Sequence, residues 1–81
     1  MNLIDLKIGE QGVITTLNET LYGIERIKEL GLTVGSKIKV VRFSPFNDPV
    51  LIEIRGYRLI LRVKDAKKIG VRLFEKDLSN R

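Results

Sequence analysis

The chain has 81 residues, 43% of them hydrophobic and 31% charged, which is enough for one packed domain and too apolar for a disordered segment. Its 15 Lys and Arg against 10 Asp and Glu give a net charge of +5, which favours an acidic partner, whether protein, nucleic acid or lipid headgroup. With no cysteine and no histidine, disulfides, thiolate chemistry, a zinc site, a Ser-His-Asp triad and a His-based proton shuttle are all excluded.

A domain of this size buries only about 60–65% of its unfolded surface, so it has little room for an internal active-site cavity. No apolar run approaches the roughly 20 residues needed to span a bilayer. The first ten residues lack a signal-peptide pattern, so a soluble cytoplasmic protein is expected.

In chain order, residues 1 to 9 space Leu3 from Leu6 and Ile4 from Ile8, which suits a single turn or an irregular arm over a barrel end, stopped by Gly9. Glu10-Gln11-Gly12 reads as a turn, and the β-branched Val13 to Leu17 as a first strand. Asn18 or Thr20 could cap a helix over Leu21 to Leu30, weakened by Gly23 and without a capping box. Ile24, Ile27 and Leu30 hold the i, i+3 spacing of one buried face. Gly31 then falls where a chain leaving a helix takes a positive φ, with Ile27 and Leu32 placed to seal the stop. Gly35 completes this corner.

Ser36 to Phe43 alternates, with Lys37 and Lys39 on one face and Ile38 and Val40 on the other. Val40-Val41 breaks the alternation and predicts a bulge. Ser44 to Pro49 is the clearest loop, with two prolines around an Asn-Asp pair. Val50 to Arg55 and Arg58 to Val63 flank Gly56-Tyr57, which predicts a tight hairpin on a type II′ turn. That register sets Ile54 against Leu59 and Ile52 against Leu61 on the core face. The wetter face carries Arg55 against Arg58, Glu53 against Ile60, and Leu51 against Arg62. Lys64 to Lys68 reads as one helical turn and Ile69 to Phe74 as a closing strand. Residues 1–75 are expected to form a single domain and 76–81 a frayed polar tail.

Five short strands, one helix after the first strand and no repeat point to a mainly β fold, a small SH3-like five-stranded barrel, closed or nearly so, with an OB-type barrel as the alternative.

Few residues carry chemistry. The glycines have neither phosphate-loop nor dinucleotide spacing. Asn47-Asp48 beside proline is a turn former and matches no calcium loop. Glu25 and Glu29 sit on the wet face of the expected helix, away from any cleft, so no catalytic set, metal site or cofactor is expected. Two surface features remain. One is a basic strip of Lys37, Lys39, Arg55, Arg58 and Arg62 with Tyr57 at the hairpin tip, a pattern that also suits nucleic acid. The other is apolar: Leu21 and Tyr22 at the helix entrance and Phe46 in the loop, the kind of residues found at protein contacts.

From Leu3 to Val71 the chain resembles the FeoA family, small cytoplasmic ferrous iron transport proteins. The resemblance rests on Leu3, Leu6, Gly9, Gly12 and Ile14, then Arg26, Glu29-Leu30-Gly31-Leu32 and Gly35. It continues with Asp48-Pro49-Val50, Gly56, Leu61-Arg62, Ala66, Ile69 and Val71. Val34 stands where the family often has proline, and Ile27 where leucine is frequent. The resemblance implies a non-enzymatic SH3-like accessory protein whose partner is FeoB, a membrane permease with a cytosolic GTP-binding domain. The same unit is similar to the C-terminal domain of iron-dependent repressors, although this chain has no room for their DNA-binding module.

The reading preferred here is an adaptor that docks on the cytosolic region of the permease, with Leu21, Tyr22, Phe46, Tyr57, Arg58 and Arg62 as contact candidates. Ile27, Leu30, Gly31, Leu32 and Gly35 have a structural role at the corner. Nucleic acid is not expected as a partner. A basic nucleic-acid-binding barrel, a stand-alone SH3-like regulatory module and a small-ligand or metal-sensing module are the alternatives.

Overall fold

The computed structural model describes residues 1–17, 29 and 31–74. Five strands form one antiparallel sheet: β1 (Gln11–Leu17), β2 (Lys37–Phe43), β3 (Val50–Ile54), β4 (Tyr57–Leu61) and β5 (Ile69–Phe74). Their order is β4-β3-β2-β1-β5. A single 3-10 turn at Leu3–Asp5 precedes β1, and a one-turn helix, α1 (Val63–Ala66), joins β4 to β5. No ladder joins β4 to β5 among the described residues, so the sheet is not closed into a barrel and these two strands are its edges. The helix expected over Leu21 to Leu30 falls, apart from Glu29, outside the described residues, as do Ile27, Leu30 and residues 75–81.

Alternation explains which side is buried. Val50, Ile52 and Ile54 of β3 point to one face with Ile38 and Val40 of β2, Ile14 of β1, Leu61 of β4 and Val71 of β5, all nearly or fully buried. Each such aliphatic side chain contributes roughly 1.5–3 kcal/mol of transfer free energy, so this face holds the fold together. Leu3, Leu6, Leu32, Ala66 and Ile69, from outside the central strands, complete the same cluster.

The arm at residues 1–9 is fixed by its own hydrogen bonds. The Asn2 side chain accepts from the Ile4 N–H at 2.8 Å, and the Asp5 carboxylate accepts from the Asn2 N–H at 2.8 Å. This reciprocal cap satisfies donors that a 3-10 turn would leave open, and it sets Leu3 and Leu6 toward the core.

Several details differ from the sequence expectation: β4 spans Tyr57–Leu61 and stops short of Val63, which opens α1 ahead of the expected Lys64. Gln11 and Gly12 belong to β1 and not to a turn. Gly12 is packed so closely by Leu6, Val71 and the Arg72 carbonyl that a Cβ would lie 3.1–3.3 Å from each. Glycine here serves close packing, which composition alone cannot separate from a turn. The hairpin between β3 and β4 turns on Arg55-Gly56, with φ of 52° and 87°, a type I′ turn and not a II′ turn on Gly56-Tyr57. The register is therefore Ile54↔Tyr57, Glu53↔Arg58, Ile52↔Leu59, Leu51↔Ile60 and Val50↔Leu61. The partners shift by two residues, so the paired residues of β3 and β4 keep their expected faces, while Arg55 moves into the turn and Arg62 falls beyond the strand. The bulge predicted at Val40-Val41 is present: pairing passes from Val40↔Ile52 to Arg42↔Leu51 and leaves Val41 over.

Candidate functional site

Cross-strand pairing assembles the outer face of the sheet in three rows. One runs Arg58, Glu53, Lys39, Gln11 and Phe74 across all five strands. Beside it lie Lys37, Val13 and Arg72 on one flank and Ile60, Leu51 and Arg42 on the other. Directly opposed residues of antiparallel strands share a face, so these side chains form one surface. On its strand positions Lys37, Lys39, Arg42, Arg58 and Arg72 stand against the single carboxylate of Glu53. Glu53 lies between Arg58 and Lys39 and offsets part of their mutual repulsion. The rest of the face is left strongly positive.

The basic strip read from the sequence is thus partly rebuilt. Lys37, Lys39 and Arg58 do share a face. Arg55 leaves it: its Nη2 donates to Ser36 Oγ at 3.3 Å, and Ser36 Oγ lies 3.0 Å from Thr33 Oγ1. Ser36 is buried, so Arg55 ties the hairpin turn to the corner that starts β2. Arg62 follows β4 as the residue before α1, in extended backbone with φ −68° and ψ 145°, and is exposed. Arg42 and Arg72 were not singled out from the sequence, because Arg42 follows the bulge that resets the alternation and Arg72 joins the face only through pairing of β5 with β1.

The contact candidates are dispersed. Phe46 is 90% exposed at the tip of the loop between β2 and β3. That loop closes on Ser44, whose carbonyl accepts from the Asn47 N–H at 2.7 Å and whose Oγ accepts from the Asp48 N–H at 2.8 Å. Tyr57 points to the opposite side of β4 from Arg58 and reaches the Gly31 corner, where its hydroxyl oxygen would lie 2.9 Å from a Cβ on that glycine. Gly31 and Gly35 have φ of +94° and +95°, and Leu32 between them is fully buried. Leu21 and Tyr22 lie outside the described residues.

An apolar groove borders the positive face. Phe43, Pro45, Pro49, Leu51 and Ile60 line it together with Arg42. Ile60 is 68% exposed although it sits in the middle of a strand.

Aromatic side chains on this face are already engaged. The Lys37 ammonium sits 4.4 Å from the centre of the Phe74 ring, a cation–π contact over a half-buried ring. Among the described residues no group of three or more acidic side chains could hold a metal ion, and no helix is long and apolar enough to cross a membrane.

Residues 1–73 match the FeoA domain family. The chain is 36% identical over 80 residues to an Fe(2+) transport protein A/Fe(2+) transporter FeoB fusion protein of Porphyromonas gingivalis, covering 99% of this chain and 10% of that one. Among solved structures, the FeoA protein of Chlorobium tepidum is 32% identical with a TM-score of 0.84, over 99% of this chain and 76% of that one. Stenotrophomonas maltophilia FeoA, a prokaryotic SH3 domain protein solved with zinc, is 26% identical with a TM-score of 0.72, over 89% of both chains. The open five-stranded sheet is therefore SH3-like.

Proposed function

The chain belongs to the FeoA domain family, and on that premise we propose that it is a non-enzymatic, cytoplasmic accessory protein of ferrous iron transport that acts by contact with the cytosolic region of a FeoB-type permease. The observation that carries this reading is the fusion protein of Porphyromonas gingivalis, in which a unit 36% identical to this chain is covalently joined to the transporter. Two functions held on one polypeptide are kept at high effective concentration, and separate chains doing the same work need a binding surface instead.

The chain's own chemistry agrees with a contact role. Without histidine or cysteine it lacks the imidazole and thiolate donors common in iron sites. The proposed contact residues are Leu21, Tyr22, Phe46, Tyr57, Arg58 and Arg62. The test is anoxic ferrous iron uptake in cells that lack this gene and keep the permease. Uptake should fall sharply and return with the plasmid-borne gene. Normal uptake in the deletion strain sinks the reading.

A further inference from the structure

We infer that the edge of β4, unpaired among the described residues, takes up an extended acidic segment of a protein partner as an added, antiparallel strand. The inference rests on the contact role proposed above and names the place and the chemistry of that contact.

The edge is built for pairing. Ile54 and Tyr57 close the two-residue turn and form a hydrogen-bonded pair, so by alternation Ile52↔Leu59 and Val50↔Leu61 are the next such pairs. The N–H and C=O groups of Arg58 and Ile60 therefore point away from β3. Among the described residues neither takes part in a backbone hydrogen bond outside its own hairpin. The opposite edge is treated differently: on β5 the Val71 N–H donates to the Met1 carbonyl at 3.0 Å and Gly70 bridges to Asn2. Proteins usually blunt an exposed edge with charge or cover, and here β4 carries only Arg58, beside an exposed isoleucine.

Charge decides what kind of segment fits. A second copy of this chain pairing edge to edge would bring Arg58, Arg42 and their neighbours against the same cations. Single-stranded nucleic acid gains from several free aromatic platforms in a row, but Phe74 lies under Lys37 and Tyr57 turns to the other side of β4. That leaves Phe46, on the loop beyond the groove, as the one freely exposed ring among the described residues. An acidic peptide meets neither obstacle. Side chains of an added strand alternate, so the residue opposite Ile60 is apolar and reaches the groove of Leu51 and Pro49. The residues two before and two after it oppose Arg62 and Arg58 and are acidic. The segment reads acid, any residue, apolar, any residue, acid.

The experiment uses the full chain, isotope-labelled, and a blocked nonapeptide Asp-Thr-Glu-Thr-Val-Thr-Glu-Thr-Asp. Binding should slow amide exchange at Arg58 and Ile60 by about tenfold or more. Methylating the peptide amides of Val and the Glu after it, which face β4, should abolish binding, while methylating the Thr between them should not. Arg58→Glu and Ile60→Ser, both at exposed positions, should each weaken binding roughly tenfold, the first by reversing charge and the second by removing the apolar contact. Binding indifferent to the first methylation, or shifts centred on Lys37 and Arg72, overturns the inference. So does an oligothymidylate that binds more tightly than the peptide. In the uptake assay, variants Arg58→Glu and Ile60→Ser that rescue the deletion as well as the parent would overturn the edge and leave the accessory role standing. Peptide capture at the edge with uptake untouched by deletion would do the reverse.

Discussion

Tyr57 reaches over Gly31: a Cβ on that glycine would lie 2.9 Å from the tyrosine hydroxyl oxygen. Two costs would follow from a side chain at Gly31, the positive φ of +94° and the contact itself. The contact atom is the end of a side chain that is 39% exposed and can swing, whereas the backbone cannot change without moving the entry to β2. Strain should win. Gly31→Ala is expected to lower stability by about 1–2 kcal/mol in urea unfolding. Adding Tyr57→Phe should recover less than about 0.5 kcal/mol, the scale of ordinary additivity. Recovery of most of the loss would show that the contact governs the position.

Gly70 is constrained for the other reason. It pairs with Thr16 in β1, and a Cβ there would overlap Thr16 Oγ1 and come 3.3 Å from Thr15 Oγ1. Thr16 is β-branched, with little rotamer freedom to give way. Gly70→Ala should cost about 1–3 kcal/mol through overpacking. Thr16→Ala in the same chain should restore most of it, and a double-mutant cycle by thermal unfolding measures the coupling. A cycle that closes without coupling would place the cost elsewhere.

Where local pattern sufficed, the chain could be read directly. β5 runs over Ile69–Phe74, as its composition indicated, and the bulge lies where Val40-Val41 breaks the alternation. The hairpin turn was harder, because Arg55 takes a positive φ that its residue type does not announce. Face membership survived because a shift of two residues preserves parity. The surface was the least legible part. Arg42, Arg58 and Arg72 lie on three different strands, and their meeting depends on the order β4-β3-β2-β1-β5, which no local spacing encodes. The role of Gly12 is hidden for a related cause: its neighbours Leu6 and Val71 come from either end of the domain.

The amino-terminal arm should contribute to stability out of proportion to its length. Leu3 is fully buried, and Leu6 nearly so, beneath a turn held by the Asn2 and Asp5 side chains. Leu3→Ala is expected to cost about 2–5 kcal/mol, as for other buried leucines. Asn2→Ala, which removes only the cap, should cost about 0.5–2 kcal/mol. Amide exchange at Val71, whose N–H donates to the Met1 carbonyl, should quicken in both. Unchanged exchange there, with stability lost, would mean that the arm stays docked without its cap.

Asp48 links the loop between β2 and β3 to the far end of β4. Its Oδ1 accepts from the Val63 N–H at 3.0 Å, and that donor opens α1, where Arg62 makes no side-chain cap of its own. A carboxylate 15 residues away thus serves as the cap of this one-turn helix. The same aspartate is held in place from behind by its own N–H, which donates to Ser44 Oγ at 2.8 Å. Asp48→Ala should cost about 1 kcal/mol and quicken amide exchange at Val63. Asp48→Asn keeps an acceptor in the same place and should lose less. Because Pro45 and Pro49 of this loop line the groove beside Ile60, the alanine variant should also weaken capture of the acidic peptide, with Arg58 and Ile60 themselves intact. Peptide affinity equal to that of the parent would show that the groove's shape does not depend on this link.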